Sequence, residues 1–153
     1  MSGGMINANI KAANAGVGAY FNMVGDILRT MPINRRASGS GGSATADQQY
    51  CGIAIASMSQ YTKDAGLTTS SAFVTDMMAD ASDGMMNGMS GSTQISMGGG
   101  MMGSGNMMQP SAGTGGLAAA MTTYLGSSAN LSGLNATDMN PLIQKLAASS
   151  GQL

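Results

Sequence analysis

The chain of 153 residues contains no His, no Trp and no Glu, and it has a single Cys, Cys51. Without imidazole, Ser-His-Asp and Cys-His catalysis fall away, as do His-held zinc, His-held haem and imidazole general-base chemistry. One thiol cannot form a disulfide within the chain, and it cannot alone hold a Cys-type zinc site or an iron–sulfur cluster. Charge is scarce: 8% of residues are Asp, Lys or Arg, against about 25% in ordinary soluble proteins. All seven acids are Asp, and with six Lys plus Arg they leave a net charge of −1. Such a chain carries no basic field, and Arg35-Arg36 is its one basic pair, so binding nucleic acid by phosphate neutralisation is not expected. No apolar run approaches ~18 residues, which excludes a transmembrane helix. Residues 1–22 lack the charged start and continuous apolar stretch of a signal peptide.

What is abundant is Gly, with 24 residues, and Met, with 17. Hydrophobic residues make up 43% and aromatics only 4%, so a core has to be assembled from Met, Leu, Ile, Val and Ala. The length fits one domain with a real interior. The surface falls to Ser, Thr, Asn, Gln and Gly, a neutral polar coat that points to an exported protein. The expected class is all-α, about five helices in an irregular bundle with a long Gly/Met-rich loop, spanning 1–153 as one domain.

Periodicity places the helices. The first covers 5–21, with Ile6, Ile10, Ala13, Val17, Tyr20 and Phe21 on one stripe and with Gly16 and Gly18 weakening it. Residues 24–30 form a short helical turn that Met31-Pro32 ends. Residues 37–44 read as a flexible Gly/Ser linker. Thr45-Ala-Asp-Gln48 is a capping box opening the second helix, with Asp47 favoured in its first turn by the helix dipole. Its stripe is Tyr50, Ile53, Ala54, Ser57, Met58 and Tyr61, with Lys63 in its last turn and Gly66 as a left-handed cap. The third helix, about 71–82, is capped by Ser70 or Thr69, shows Phe73, Val74, Met77, Met78 and Ala81 as its apolar face, and stops at Asp83-Gly84. The fourth covers 117–128, capped by Thr114, on Leu117, Ala120, Met121, Tyr124, Leu125 and Ser128. The fifth runs from Asp138 to Ala148 after a Thr137 cap, with Pro141 in its first turn and Met139, Leu142, Ile143, Leu146 and Ala147 inward. Gln94-Ile95-Ser96 is a candidate short strand.

Between the third and fourth helices, residues 84–116 hold eleven of the glycines, eight of the methionines and no charge. A loop of more than about 15 residues inside a compact domain is functional or disordered. Its Met85, Met86, Met89, Met97, Met101, Met102, Met107 and Met108 offer thioethers, soft ligands that select Cu(I) or Ag(I). Met85-x3-Met89, Met86-x2-Met89 and Met97-x3-Met101 suit a site built from sulfur alone. The plainer reading has Met filling irregular gaps as a flexible hydrophobe. Asp80, Asp83 and Asn87 offer hard oxygens at the spacing of a Ca2+ chelate, but without the order of an EF-hand or its closing Glu; here the plainer reading is a helix end entering an Asp-Gly turn. Asp76, Asp80 and Asp83 make a poor carboxylate pair for glycoside hydrolysis, since neighbours on one helix end rarely flank a substrate. Cys51 has no base beside it in sequence and reads as a small buried hydrophobe. Asn130-Leu-Ser132 and Asn135-Ala-Thr137 match glycosylation sequons.

Three segments, YCGIAIASMSQYTKDAGLTTSSAFVTDMMADASDGMMNG, AGTGGLAAAMTTYLGSSANLSGL and MNPLIQKLAASSGQL, resemble an Ala/Gly/Ser/Met-rich helical region of large secreted bacterial surface proteins, predicted lipoproteins with Ig-like or carboxypeptidase-regulatory-like modules. The upstream NANIKAANAGVGAYFNMVGDILRTMPIN fits the same pattern. The resemblance covers 6–153 and carries no catalytic or ligand residue. Asp commonly stands in that family where this chain has Asn87, which weakens any shared cation site. It implies an extracellular, cell-surface or periplasmic location, a non-enzymatic role, and a chain that is part of a longer exported protein. The expectation is a structural or interaction module that takes protein partners or associates with itself and needs no cofactor; the alternative is a Met-rich binder of Cu(I) or Ag(I).

Overall fold

A computed structural model describes residues 7–67, 69–97 and 106–153. It is mostly helical, with five helices and one tiny two-stranded sheet: α1 Asn7–Tyr20, α2 Ala46–Asp64, α3 Ser70–Asp80 continued by a 3-10 turn Ala81–Asp83, β1 Met89–Ser90, β2 Thr93–Gln94, α4 Gly115–Leu125 and α5 Asn140–Ala147. No described helix is long and apolar enough to cross a membrane.

The centre is α2 against α4, with α5 also packed on α4. Helix α2 starts where its caps require. The Thr45 hydroxyl accepts from the Gln48 N–H at 3.4 Å, and the Gln48 side chain accepts from the Thr45 N–H at 3.0 Å, so two amide donors at the helix start find partners. Ile53, Ala54, Ala56 and Ser57 are buried, the Ser57 hydroxyl returning to the Ile53 carbonyl at 2.7 Å. Gly66 follows the helix at φ +68, the left-handed cap that its position predicts. Helix α4 buries Leu117, Ala120, Met121, Tyr124 and Leu125. Thr114 is its cap residue, but its hydroxyl turns back to the Ser111 carbonyl rather than to the helix. Helix α5 buries Leu142 and Leu146 and starts two residues later than its sequence suggests. The cause is a reciprocal pair just ahead of it: Asn135 Oδ1 accepts from the Asp138 N–H at 3.2 Å and Asp138 Oδ2 from the Asn135 N–H at 2.8 Å. Asn135, not Thr137, is the residue that turns the chain.

Four expectations shift. The stripe of α1 is buried only at its end, at Tyr20 and Phe21, while Ile10 and Ala13 are exposed; Ile6 lies outside the described residues. On α3, Val74 and Met78 face outward and the inward line is Phe73, Met77 and Asp80, with Phe73 stacked on Tyr61 of α2 at 4.7 Å. Within 84–116 the described residues carry a hairpin and two isolated bridges, Met85 with Gln152 and Ser96 with Met107; of the candidate strand Gln94-Ile95-Ser96, Gln94 lies in β2 and Ser96 in a bridge. Residues 37–44 are tied down as well: the Gly39 and Gly41 N–H groups donate to Leu131 and Ser132 carbonyls, and the Gln49 amide donates to the Gly41 carbonyl.

Candidate functional site

Of the two features that stand out, the first is Asp80, which the spacing 73, 77, 80 puts on the core side of α3. Its side chain is fully buried. One carboxylate oxygen, Oδ1, accepts from three successive backbone N–H groups, Asn87 at 3.0 Å, Gly88 at 2.8 Å and Met89 at 3.1 Å. Asn87 Oδ1 also accepts from the Met89 N–H. Asp83 holds the two shoulders of the same turn, Oδ1 accepting from Met85 at 3.0 Å and Oδ2 from Gly91 at 2.9 Å. Asp80, Asp83 and Asn87 are thus brought together, but mostly as acceptors for the amides of 85–91. Asp80 Oδ2 is the exception, buried with no hydrogen-bond partner. Burial pushes the Asp80 carboxyl above the usual carboxylate range; the three amide bonds pull it down, and the Asp83 charge adds to the rise. Among the described residues no three Cys, Asp or other ionisable ligands gather as a metal would require.

Around this turn the chain folds back on itself. The Met86 N–H donates to the Gly151 carbonyl at 2.7 Å and the Leu153 N–H to the Gly84 carbonyl at 3.0 Å, while Met108 N–H donates to Ile95 and Met97 N–H to Asn106. Met86, Met97 and Met108 are buried in the core cluster; Met85 and Met89 are half-buried, Met107 is exposed, and Met101 and Met102 lie outside the described residues. A half-buried Cys51 completes the soft-ligand inventory, with its thiol pushed up by burial.

The second feature is an apolar ridge on the far side. Val24 is 97% exposed, Leu28 72% and Met31 75%; Val24 and Leu28, with Ile10 of α1, line a groove of about 670 Å³. The ridge is not a loose loop. Asp47, in the first turn of α2, accepts from the Val24 N–H at 3.1 Å and from the Gly25 N–H at 2.7 Å. Asp26 caps the next turn, accepting from the Leu28 N–H at 2.9 Å, and pairs with Arg29 at 3.7 Å. The segment VGDILRT forms turns rather than a helix, and Val24, Leu28 and Met31 stay exposed while Ile27 between them packs against the core.

Comparison with protein-family models, with curated proteins and with solved structures finds no match to this chain.

Proposed function

We propose that the chain is a non-enzymatic helical interaction module of a secreted or cell-surface bacterial protein, and that it associates with a second copy of itself through the ridge of Val24, Leu28 and Met31. The observation that carries this reading is the exposure of three large apolar side chains on a backbone already pinned by Asp47. A pre-ordered apolar surface loses little entropy when covered, and isolated exposed hydrophobics are ordinary whereas a cluster beside a groove is a contact site. A net charge of −1 offers almost no electrostatic resistance to self-association. The neutral polar coat and the sequence resemblance support an exported setting. The soft-metal reading has less behind it: Met86, Met97 and Met108 serve as core residues, where a thioether packs as a hydrophobe.

Sedimentation velocity across the micromolar range tests the proposal. The wild-type chain is expected to move from monomer to dimer with concentration. The double variant V24D/L28D, which alters exposed positions only, is expected to stay monomeric with its melting temperature unchanged. A wild-type chain that remains monomeric at the highest concentration overturns the reading.

A further inference from the structure

Half of the chain's six cationic residues, Arg35, Arg36 and Lys63, line one cleft of about 440 Å³ at the edge of the α2–α4 contact. No Asp lines it. None of the three makes an ion pair among the described residues. Asp64 stands just outside the lining, accepting from the Gln60 side chain at 2.7 Å, but three cations against this one carboxylate still favour an anion in the cleft.

The cleft is built by three converging segments. Helix α2 contributes Ala56, Ser59, Gln60 and Lys63, the i, i+3, i+4, i+7 positions of one face. Helix α4 contributes Tyr124. The strap 33–36 brings the two arginines and is fixed at both ends: the Ile33 N–H donates to the Gln48 carbonyl at 3.2 Å, and the Arg35 carbonyl accepts from the Leu131 N–H at 3.2 Å. Gly52 allows the first of these approaches, since a Cβ there would lie 2.4 Å from Ile33 Cγ1 and 3.0 Å from its nitrogen. Arg35 is held over the Tyr124 ring with its guanidinium carbon 5.8 Å from the centroid, a geometry that keeps the charge in place.

A second observation, independent of the charges, points to a ligand. Tyr124 is only 3% exposed, and its hydroxyl is buried without any hydrogen-bond partner. A buried hydroxyl left unpaired is destabilising, and phenolic groups in protein interiors are normally satisfied. Tyr124 lines the cleft, and because its hydroxyl is covered, an acceptor bound there satisfies it only with a shift of the side chains around it.

We propose that the cleft binds a phosphate monoester of about sugar size, its phosphate held by Arg35, Arg36 and Lys63 and hydrogen-bonded by the Tyr124 hydroxyl. Three cations and a hydroxyl supply more donors than the two oxygens of a carboxylate can accept, while a phosphate presents three oxygens and close to two negative charges. The arginine forks suit its oxygens, and the lysine adds a point charge. The cleft volume leaves room for a small polar body beside the phosphate, which Ser59 and Gln60 face. This site is separate from the apolar ridge and stands whether or not the chain dimerises.

The test is NMR titration of the intact chain with inorganic phosphate, glucose 1-phosphate and acetate, alongside co-sedimentation with phosphatidylglycerol vesicles. Shifts confined to the amides of 35–36, 59–63 and 124–131 are expected with both phosphates, at least about tenfold tighter for the sugar phosphate, weakening as salt rises. Vesicle binding with no response to glucose 1-phosphate would assign the phosphate to a lipid headgroup instead and overturn the soluble-ester proposal. The variant R36Q/K63Q, at exposed positions, should weaken binding about tenfold without changing the melting temperature. Tyr124→Phe keeps the ring under Arg35 and should weaken binding several-fold while leaving stability equal or higher; a purely structural hydroxyl would lower stability and leave binding alone. Equal shifts with acetate, or binding undiminished in R36Q/K63Q, overturns the proposal.

Discussion

Replacing Asp80 with Ala is expected to destabilise the protein by about 3 kcal/mol, a fall in melting temperature of roughly 6–12 °C for a chain of this size. The substitution removes the shared acceptor of the Asn87, Gly88 and Met89 amides. A buried donor left without a partner costs about 1–3 kcal/mol, and a cavity replaces the side chain. Against this stands the relief of removing a buried charge whose second oxygen has no partner, which keeps the net effect below the sum of three lost bonds. The pH dependence of the wild type has a definite sign. Burial raises the Asp80 carboxyl in the folded state, so the native chain holds that proton more tightly than the unfolded chain does. The stabilisation from the bound proton is full below the unfolded carboxylate value and is lost as pH rises through the folded one. The stability gap between wild type and Asp80→Asn, which does not titrate, therefore widens as pH falls from neutral into the carboxylate range. Chemical denaturation at a series of pH values measures both effects. A loss of under 1 kcal/mol for Asp80→Ala, or a gap that narrows on acidification, would contradict this account of the residue.

Gly151→Ala is expected to cost about 3–4 kcal/mol. Gly151 is buried and sits at φ +90, where a side chain alone costs roughly 1–2 kcal/mol. The larger share comes from its neighbour. A Cβ there would lie 2.4 Å from the Met86 carbonyl oxygen and 2.9 Å from its carbon. Main chain cannot rotate away as a side chain does, so the tail has to lift from the turn and break the 2.7 Å bond from the Met86 N–H to the Gly151 carbonyl. Gly66→Ala serves as control, since Gly66 has a similar φ, +68, with nothing within 4 Å, and should cost only the left-handed penalty. Equal losses in the two variants by thermal denaturation would show that the contact between tail and turn carries no weight.

The helices were legible because their signals are local. The capping box of Thr45 and Gln48, the left-handed Gly66 and the stripe from Leu117 to Leu125 each lie within one or a few turns, and each is found where its spacing puts it. What escaped depends on partners distant in sequence. Asp80 finds its amides seven to nine residues on, and residues 84–86 find theirs at 151–153, so no hydrophobic period marks the segment between. On α3, Phe73, Val74, Met77, Met78 and Ala81 suggest one apolar face, but the inward line is Phe73, Met77 and Asp80, because backbone amides seven to nine residues on give the carboxylate its partners inside. The proximity of Asp80, Asp83 and Asn87 was readable; the direction of their oxygens, toward backbone amides, was not. The cationic cleft was half visible as Arg35-Arg36, with Lys63 and Tyr124 brought to it only by the docking of α2 on α4.

The central claim is that the turn 84–91 after α3 is a folded part of the domain, organised by Asp80, and not the start of a free arm. Amide hydrogen exchange by NMR at Asn87, Gly88 and Met89 tests it most directly, because a loop with exposed amides exchanges without opening whereas these must wait for the core to open. Protection at these three amides approaching that of α2 and α4, lost in Asp80→Ala, is the predicted result; exchange at the rate of an unstructured chain in the wild type would contradict it.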